Sequence, residues 1–248
     1  MFNIGFITGV NERDLKIAQK VGIDAVEVVP WPPGACERKE EIIRLLKEHG
    51  IKAAAVNVSM ELDMPTIKSE IDFAAKVGSP VYIGHPEALT HGEHDRIKAF
   101  REYWTEACKY AEDKGIKVCV NSCGLNPESW DIIFHEVPEL YLKYDPSFSN
   151  QEGRDIPMEL TRYGSRLAHF HVKDEVPRKS YDSNLIKKYE YAPAGMGSIH
   201  WGQVVTLLYE VGYKGVLSVE VHSAFWNSDA NFERGLVLAK RHLEQFMY

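Results

Sequence analysis

The chain is poor in the features that mark stapled, membrane-spanning or duplex-binding proteins. Its four cysteines, Cys36, Cys108, Cys119 and Cys123, form no Cys-x-x-Cys pair. A chain of 248 residues needs no stapling, so reduced thiols and a cytoplasmic location are expected. No apolar run approaches the roughly 20 residues that span a bilayer, which excludes a helical membrane anchor. The stretch from Met1 to Val10 has no Lys or Arg ahead of its apolar residues and does not read as a secretory signal. Basic charge is short: 29 Lys and Arg against 36 Asp and Glu give a net charge of −7, which disfavours nucleic acid as a partner. A dinucleotide loop is missing too. Gly5-Phe6-Ile7-Thr8-Gly9 after the first apolar run is no GxGxxG, which lowers an open doubly wound sheet to second place.

What is present is punctuation. A glycine recurs between helix-like and β-rich runs, at Gly22, Gly50, Gly78, Gly115, Gly164 and Gly212. Glycine just past a helix takes the left-handed conformation and stops it. Short apolar runs follow, such as Ala25-Val26-Glu27-Val28-Val29 and Val118-Cys119-Val120. Apolar strands alternating with helices indicate a parallel sheet covered on both faces. Eight strands are predicted, at about 2–8, 24–29, 51–58, 79–85, 116–121, 140–145, 166–172 and 215–221. About 31 residues per unit suits an α/β fold of the (β/α)8 TIM-barrel type, a single domain over 1–248. The longest irregular stretch, 173–198, is either a lid over the active face or a solvated excursion.

In such a barrel the carboxyl ends of the strands build the site. Those ends carry Glu27, Asn57, His85, Asn121, Asp145, His171 and Glu220. Singly, each reads as a helix N-cap or a satisfied buried polar group. Seven at equivalent places form a pattern. Asp145, His171 and Glu220 together suit a divalent ion, one of Mn²⁺, Mg²⁺, Co²⁺ or Zn²⁺. His169 shares a face with His171 but lies deeper, so a hydrogen-bonded role is expected for it.

Four segments then carry a family likeness: Tyr144-Asp145-Pro146-Ser147, His169-Phe170-His171-Val172-Lys173-Asp174, Gly195-Met196-Gly197-Ser198-Ile199-His200-Trp201, and Gly212-Tyr213-Lys214-Gly215 leading to Ser218-Val219-Glu220. In this order and spacing the chain resembles the xylose isomerase-like TIM barrels, the sugar phosphate isomerase/epimerase superfamily. The resemblance implies metal ligation by Asp145, His171 and Glu220. It also exposes two departures. The family's strand-five Glu, a ligand and often an acid/base group, is Asn121 here, and the His of its strand-six motif is Phe148. Asn ligates through its carbonyl oxygen but takes no proton at neutral pH.

The likeness implies proton abstraction beside a sugar carbonyl, giving isomerisation or epimerisation. Loss of a β-hydroxyl, a dehydratase or lyase outcome on a keto-sugar or inositol derivative, shares the first step. A sugar-binding pseudoenzyme is the other alternative, given Asn121. The DNA-repair endonuclease branch of the fold fits least, given the acidic charge. On this reading Asn121 is a fourth, weaker ligand, Glu220 is also the base, and His222 or His85 is the second acid/base group. Glu27, Asn57 and Lys173 contact the substrate, Trp31 offers a flat face to a sugar ring or simply packs on the rim, and Phe148 makes one wall more apolar. The expected partner is a small sugar; a homo-oligomer rests on analogy alone.

Overall fold

The computed structural model describes residues 2–29, 38–57, 63–177 and 189–248. Eight parallel strands close into a barrel: β1 (Asn3–Thr8), β2 (Ala25–Val28), β3 (Lys52–Asn57), β4 (Val81–Gly84), β5 (Lys117–Asn121), β6 (Tyr141–Tyr144), β7 (Leu167–Val172) and β10 (Val216–Val219). Each pairs with its neighbours in sequence, and β1 closes the ring on β10. The outer layer is α1 (Glu12–Val21), α2 (Lys39–His49), α3 (Met64–Lys76), α4 (His94–Glu112), α5 (Pro127–Glu136), α6 (Pro146–Gln151), α7 (Ile156–Tyr163), α8 (Trp201–Glu210) and α9 (Phe232–Glu244). The (β/α)8 expectation holds, with strand ends within two residues of those predicted.

Strand alternation divides the apolar residues into two sets. Tyr82, Val120, Leu142, Phe170 and Leu217 belong to a large cluster with the helix residues Leu15, Ile42, Ile67, Trp104, Trp130 and Leu236. Ala55, Val81, Ile83 and Cys119 form a separate small plug within the barrel, so Cys119 is packing and not a reactive thiol. Burial pushes its thiol far up, away from thiolate. The close approach of α4 explains Gly84, where a Cβ would strike the Trp104 ring. Trp104 therefore packs helix on barrel.

Helix ends largely follow the glycine punctuation. Gly22 (φ 73°) and Gly50 (φ 65°) close α1 and α2 in the left-handed region. Gly164 departs from the expected pattern: its φ is −58°, an ordinary helical value. It is glycine because a Cβ there would strike Val211 at the end of α8.

The stretch 173–198 is only partly irregular. It carries an antiparallel hairpin, β8 (Asp174–Pro177) with β9 (Tyr189–Ala192). Buried Asp174 secures the chain beyond it. Its carboxylate accepts hydrogen bonds from the backbone N–H of Gly195 (3.0 Å), Gly197 (3.1 Å) and Ile199 (3.1 Å), and from the Trp201 indole (3.0 Å). This accounts for the Gly-Met-Gly-Ser-Ile-His-Trp segment, since a Cβ at Gly197 would collide with Asp174.

Candidate metal centre and active-site cavity

The carboxyl ends of the strands surround a cavity of about 680 Å³. Asn57, His85, Asn121, Lys143, Phe148, His171, Lys173, Glu220 and His222 all line it. Its floor is a polar network that begins at Glu27, on β2. A register shift between Val26 and Glu27 against β3 leaves Ala54 unpaired at that level. Such bulges re-aim side chains. Glu27 is fully buried, with Oε2 accepting from His169 Nε2 and His171 Nε2, each at 2.7 Å, and Oε1 accepting from Asn57 Nδ2 at 3.0 Å. Glu27, expected to contact substrate, is fully buried, with both oxygens hydrogen-bonded inside the protein. Burial alone would raise this carboxyl; the charges of His171 and His169 and their hydrogen bonds hold it well below the usual carboxylate range.

Glu27 orients the imidazole of His171. With Nε2–H donated to Glu27, Nδ1 faces Asp145 Oδ2 at 3.7 Å and Glu220 Oε2 at 3.2 Å. Burial would lower the His171 pKa, but Glu27, with help from Asp145 and Glu220, raises it to about 9. His169 is driven the other way by burial, against the pull of Glu27. It belongs to the network and not to the cavity wall.

Asp145 caps α6 and is fully buried. Its Oδ1 accepts from Ser147 N (2.9 Å) and Ser147 Oγ (2.7 Å), while Oδ2 has no hydrogen bond. One ligand atom from each of Asp145, His171 and Glu220 lies within 4.8 Å of the others. Two carboxylates and an imidazole, one oxygen lacking a hydrogen bond, are a donor set that fits a divalent ion. A carboxylate behind the ligating histidine is the usual second-layer support of such a site. Glu27, His169 and His171 form another close group, but their hydrogen bonds satisfy one another.

A lysine contests the position. Lys173 Nζ stands 3.0 Å from Asp145 Oδ2 and 2.9 Å from Glu220 Oε2, with the rings of Phe148 and Tyr191 at 4.5 and 4.6 Å. Burial opposes its charge, yet Asp145 and Glu220 raise its pKa above the ordinary lysine value. Burial opposes the charges of Asp145 and Glu220, which Lys173 and the nearby His171 imidazole hold low. Any ion here must displace the Lys173 ammonium and one His171 proton.

Asn121 lines the same cavity as His171 and Glu220. Its Oδ1 accepts from Cys123 N (3.0 Å) and Lys143 Nζ (3.2 Å), so the carbonyl expected to ligate is already engaged. His85 bridges two amides, with Nε2 2.6 Å from Asn57 Oδ1 and Nδ1 3.3 Å from Asn121 Nδ2. Burial and Lys143 lower its pKa to about 4. At neutral pH it is an uncharged bridge with no spare proton to deliver. His222 Nδ1 lies 2.7 Å from Glu220 Oε1 and is half exposed. Trp31 lies outside the described residues.

Lys143 and Tyr191 are among the cavity residues that escaped the sequence reading. Lys143 is buried, two residues before Asp145 and on the same face of β6. A lysine within Tyr141-Leu142-Lys143-Tyr144 was the available signal. Tyr191 reaches the mouth on β9, with its ring edge-on to His222 at 4.9 Å. No signal marked it, since the hairpin itself was unforeseen.

A model of the family described as xylose isomerase-like TIM barrel matches residues 15–242. The chain belongs to this family. A relative, an uncharacterised protein of Methanocaldococcus jannaschii, is 25% identical over 175 residues, covering 64% of this chain and 57% of that protein. The match thus spans little more than half of that relative's length. Among solved structures, D-psicose 3-epimerase with D-tagatose from Clostridium cellulolyticum H10 superposes with a TM-score of 0.76 at 16% identity, covering 99% of each chain. The IOLI protein with a bound zinc atom gives 0.75 at 16%, again over 99% of each. At such identities these likenesses concern the family's fold. Among the described residues no helix is long and apolar enough to cross a membrane.

Proposed function

We propose that this barrel is a divalent-metal-dependent isomerase or epimerase of keto-sugars, or of close sugar derivatives. The observation that carries the reading is the cluster of Asp145, His171 and Glu220 ligand atoms within 4.8 Å of one another beside the cavity, where the partner of the buried Asp145 Oδ2 is the Lys173 ammonium that an ion would replace. Asp145, His171 and Glu220 would hold the ion, whichever of Mn²⁺, Mg²⁺, Co²⁺ or Zn²⁺ it is. When bound, it would polarise a sugar carbonyl and stabilise negative charge at that oxygen. Two neighbours fit the reading, D-psicose 3-epimerase with D-tagatose and the IOLI protein with a bound zinc atom.

The chain's own residues then have the following roles. Glu220, held ionised, accepts the α-proton at a carboxylate oxygen. His222, hydrogen-bonded to Glu220 Oε1, relays that proton at the solvent edge. Glu27 keeps His171 turned so that Nδ1 faces the cavity. His85 holds Asn57 in the cavity wall, and the second Nδ2 hydrogen of Asn57 is left for a sugar hydroxyl. Phe148 and Tyr191 flank Lys173 and narrow access to water. Without the strand-five carboxylate, Asn121 holds no proton, so Glu220 serves a same-face transfer between carbons, and inversion at one carbon requires a second proton donor on the opposite face.

A second reading has one observation behind it. Lys173 already neutralises Asp145 and Glu220. On that reading the barrel binds a sugar and does not turn it over. Exchange of sugar C–H protons with D₂O, followed by NMR on D-fructose and D-tagatose with and without added Mn²⁺, separates the two. Metal-dependent exchange is expected; no exchange at any metal load favours the binding protein. An exchange that ends in loss of water identifies a dehydratase.

A further inference from the structure

Among the described residues, Lys143 is a cavity lysine with no carboxylate in ion-pair contact. It is 2% exposed, lines the cavity, and among the described residues its Nζ makes one hydrogen bond, to Asn121 Oδ1 at 3.2 Å. The residues registered beside it on β5 and β7 are Asn121 and His169. Asn121 is uncharged, and His169 Nε2 is committed to Glu27. Asp145 and Glu220 form their ion pairs with Lys173 and reach Lys143 only through space. A register shift between Leu142 and Lys143 leaves Ala168 of β7 unpaired at the level of Lys143. Bulges of this kind recur where a side chain is aimed at a site, and Glu27 has one as well.

A buried ammonium is ordinarily paired, because burial without a counter-charge is costly. Here two of its three donor hydrogens have no partner among the described residues. We infer that the missing partner is the substrate, and that the substrate class is the keto-sugar acids, whose C1 carboxylate pairs with Lys143. The inference rests on the sugar-isomerising reading and narrows it. Lys143 lies just below Asp145 on β6, so the anionic group sits beside the reacting carbons and not at the far end of the sugar. No arginine lines the cavity among the described residues. One ammonium matches the single charge of a carboxylate better than a phosphate ester, which draws on several donors.

The test compares D-fructose with 2-keto-D-gluconate, which carries a carboxylate in place of the C1 hydroxymethyl group. D-Fructose 6-phosphate is the third probe. Binding is measured by calorimetry on the whole chain, as purified and after chelator treatment, so that chelation of an ion by the keto acid is seen separately. The expected result is a preference of about tenfold or more for 2-keto-D-gluconate over D-fructose, the usual reach of a charge-assisted hydrogen bond. Lys143→Met is expected to bring the ratio near one, and Lys143→Arg to keep part of it. Asn121→Asp, which gives Lys143 a carboxylate of its own, is expected to abolish the preference with the lysine still present. This variant carries the test if Lys143→Met does not fold. Equal binding of the two sugars, no binding of the keto acid, or a preference that survives in both Lys143→Met and Asn121→Asp overturns the inference. Preference for the 6-phosphate overturns the carboxylate assignment. Metal-dependent exchange of D-fructose protons without any acid preference removes this inference alone. Tight keto-acid binding without exchange removes the isomerase reading alone.

Discussion

Substituting Glu27 by Gln tests whether the ion site is held from behind. Glu27 Oε2 receives two imidazole N–H groups at 2.7 Å in full burial. The amide keeps the volume and one oxygen but loses the charge, and its NH₂ group competes with the donors it replaces. Each hydrogen bond to a charged group is worth about 1.5–3 kcal/mol, and one or both weaken. His171 then turns more freely and loses the main charge that raises its pKa. Loss of such support behind a ligating histidine costs about 10–100-fold in metal affinity, or about 1.4–2.8 kcal/mol. Calorimetric titration of chelator-treated Glu27→Gln with Mn²⁺ reads this directly, with the melting temperature as a control for folding. A variant that folds and binds Mn²⁺ as tightly as the wild type would refute the role of Glu27.

Three further outcomes are expected. Lys173→Met leaves Asp145 and Glu220 facing each other without the ammonium; breaking a buried pair costs about 3–5 kcal/mol. The chelated variant should therefore melt well below wild type, and Mn²⁺ should restore more stability to it than to wild type; equal melting in chelator contradicts the pairing. Gly84→Ala drives a methyl into Trp104 and should cost about 1–3 kcal/mol in urea unfolding, without changing metal content. The pH dependence has a worked sign. The folded value of His171, about 9, lies above its ordinary 6.5, so its contribution to stability is complete below about pH 6.5 and is lost as pH rises through about 9. Glu27, Asp145 and Glu220 are held low, so their contribution is present above their ordinary carboxylate values and is lost on acidification. Melting of chelated protein should thus decline on both flanks, and Mn²⁺ affinity should rise with pH towards 9; affinity that falls over pH 7–9 contradicts the assignment of Nδ1.

The barrel was legible because its signals are local. A short apolar run bounded by a glycine turn identifies a buried parallel strand without knowledge of its partners. The positions of Asp145, His171 and Glu220 at strand ends were legible for the same reason, since barrel topology brings strand ends together. Hydrogen-bond allocation was not. Glu27 sits at a strand end like the others, yet a bulge against β3 and two histidines on β7 turn it into support. Asn121 was expected beside the ion, but its oxygen serves Lys143 and Cys123. The lysine within β6 was visible as a charge in an apolar strand. Its lack of a counter-ion emerges only when β5, β6 and β7 are laid side by side. Gly164 looks like every other helix stop, and only its contact with Val211 separates it.

The central claim is that Asp145, His171 and Glu220 form a working ion site despite Asn121 and Lys173. Mass spectrometry of the purified chain, as isolated and after chelation and Mn²⁺ loading, measures it most directly, with Asp145→Asn as the control. The account predicts about one ion per chain in the wild type and a loss of that ion in Asp145→Asn. A wild-type chain that retains none under excess Mn²⁺, or an Asp145→Asn variant that retains as much as wild type, contradicts it.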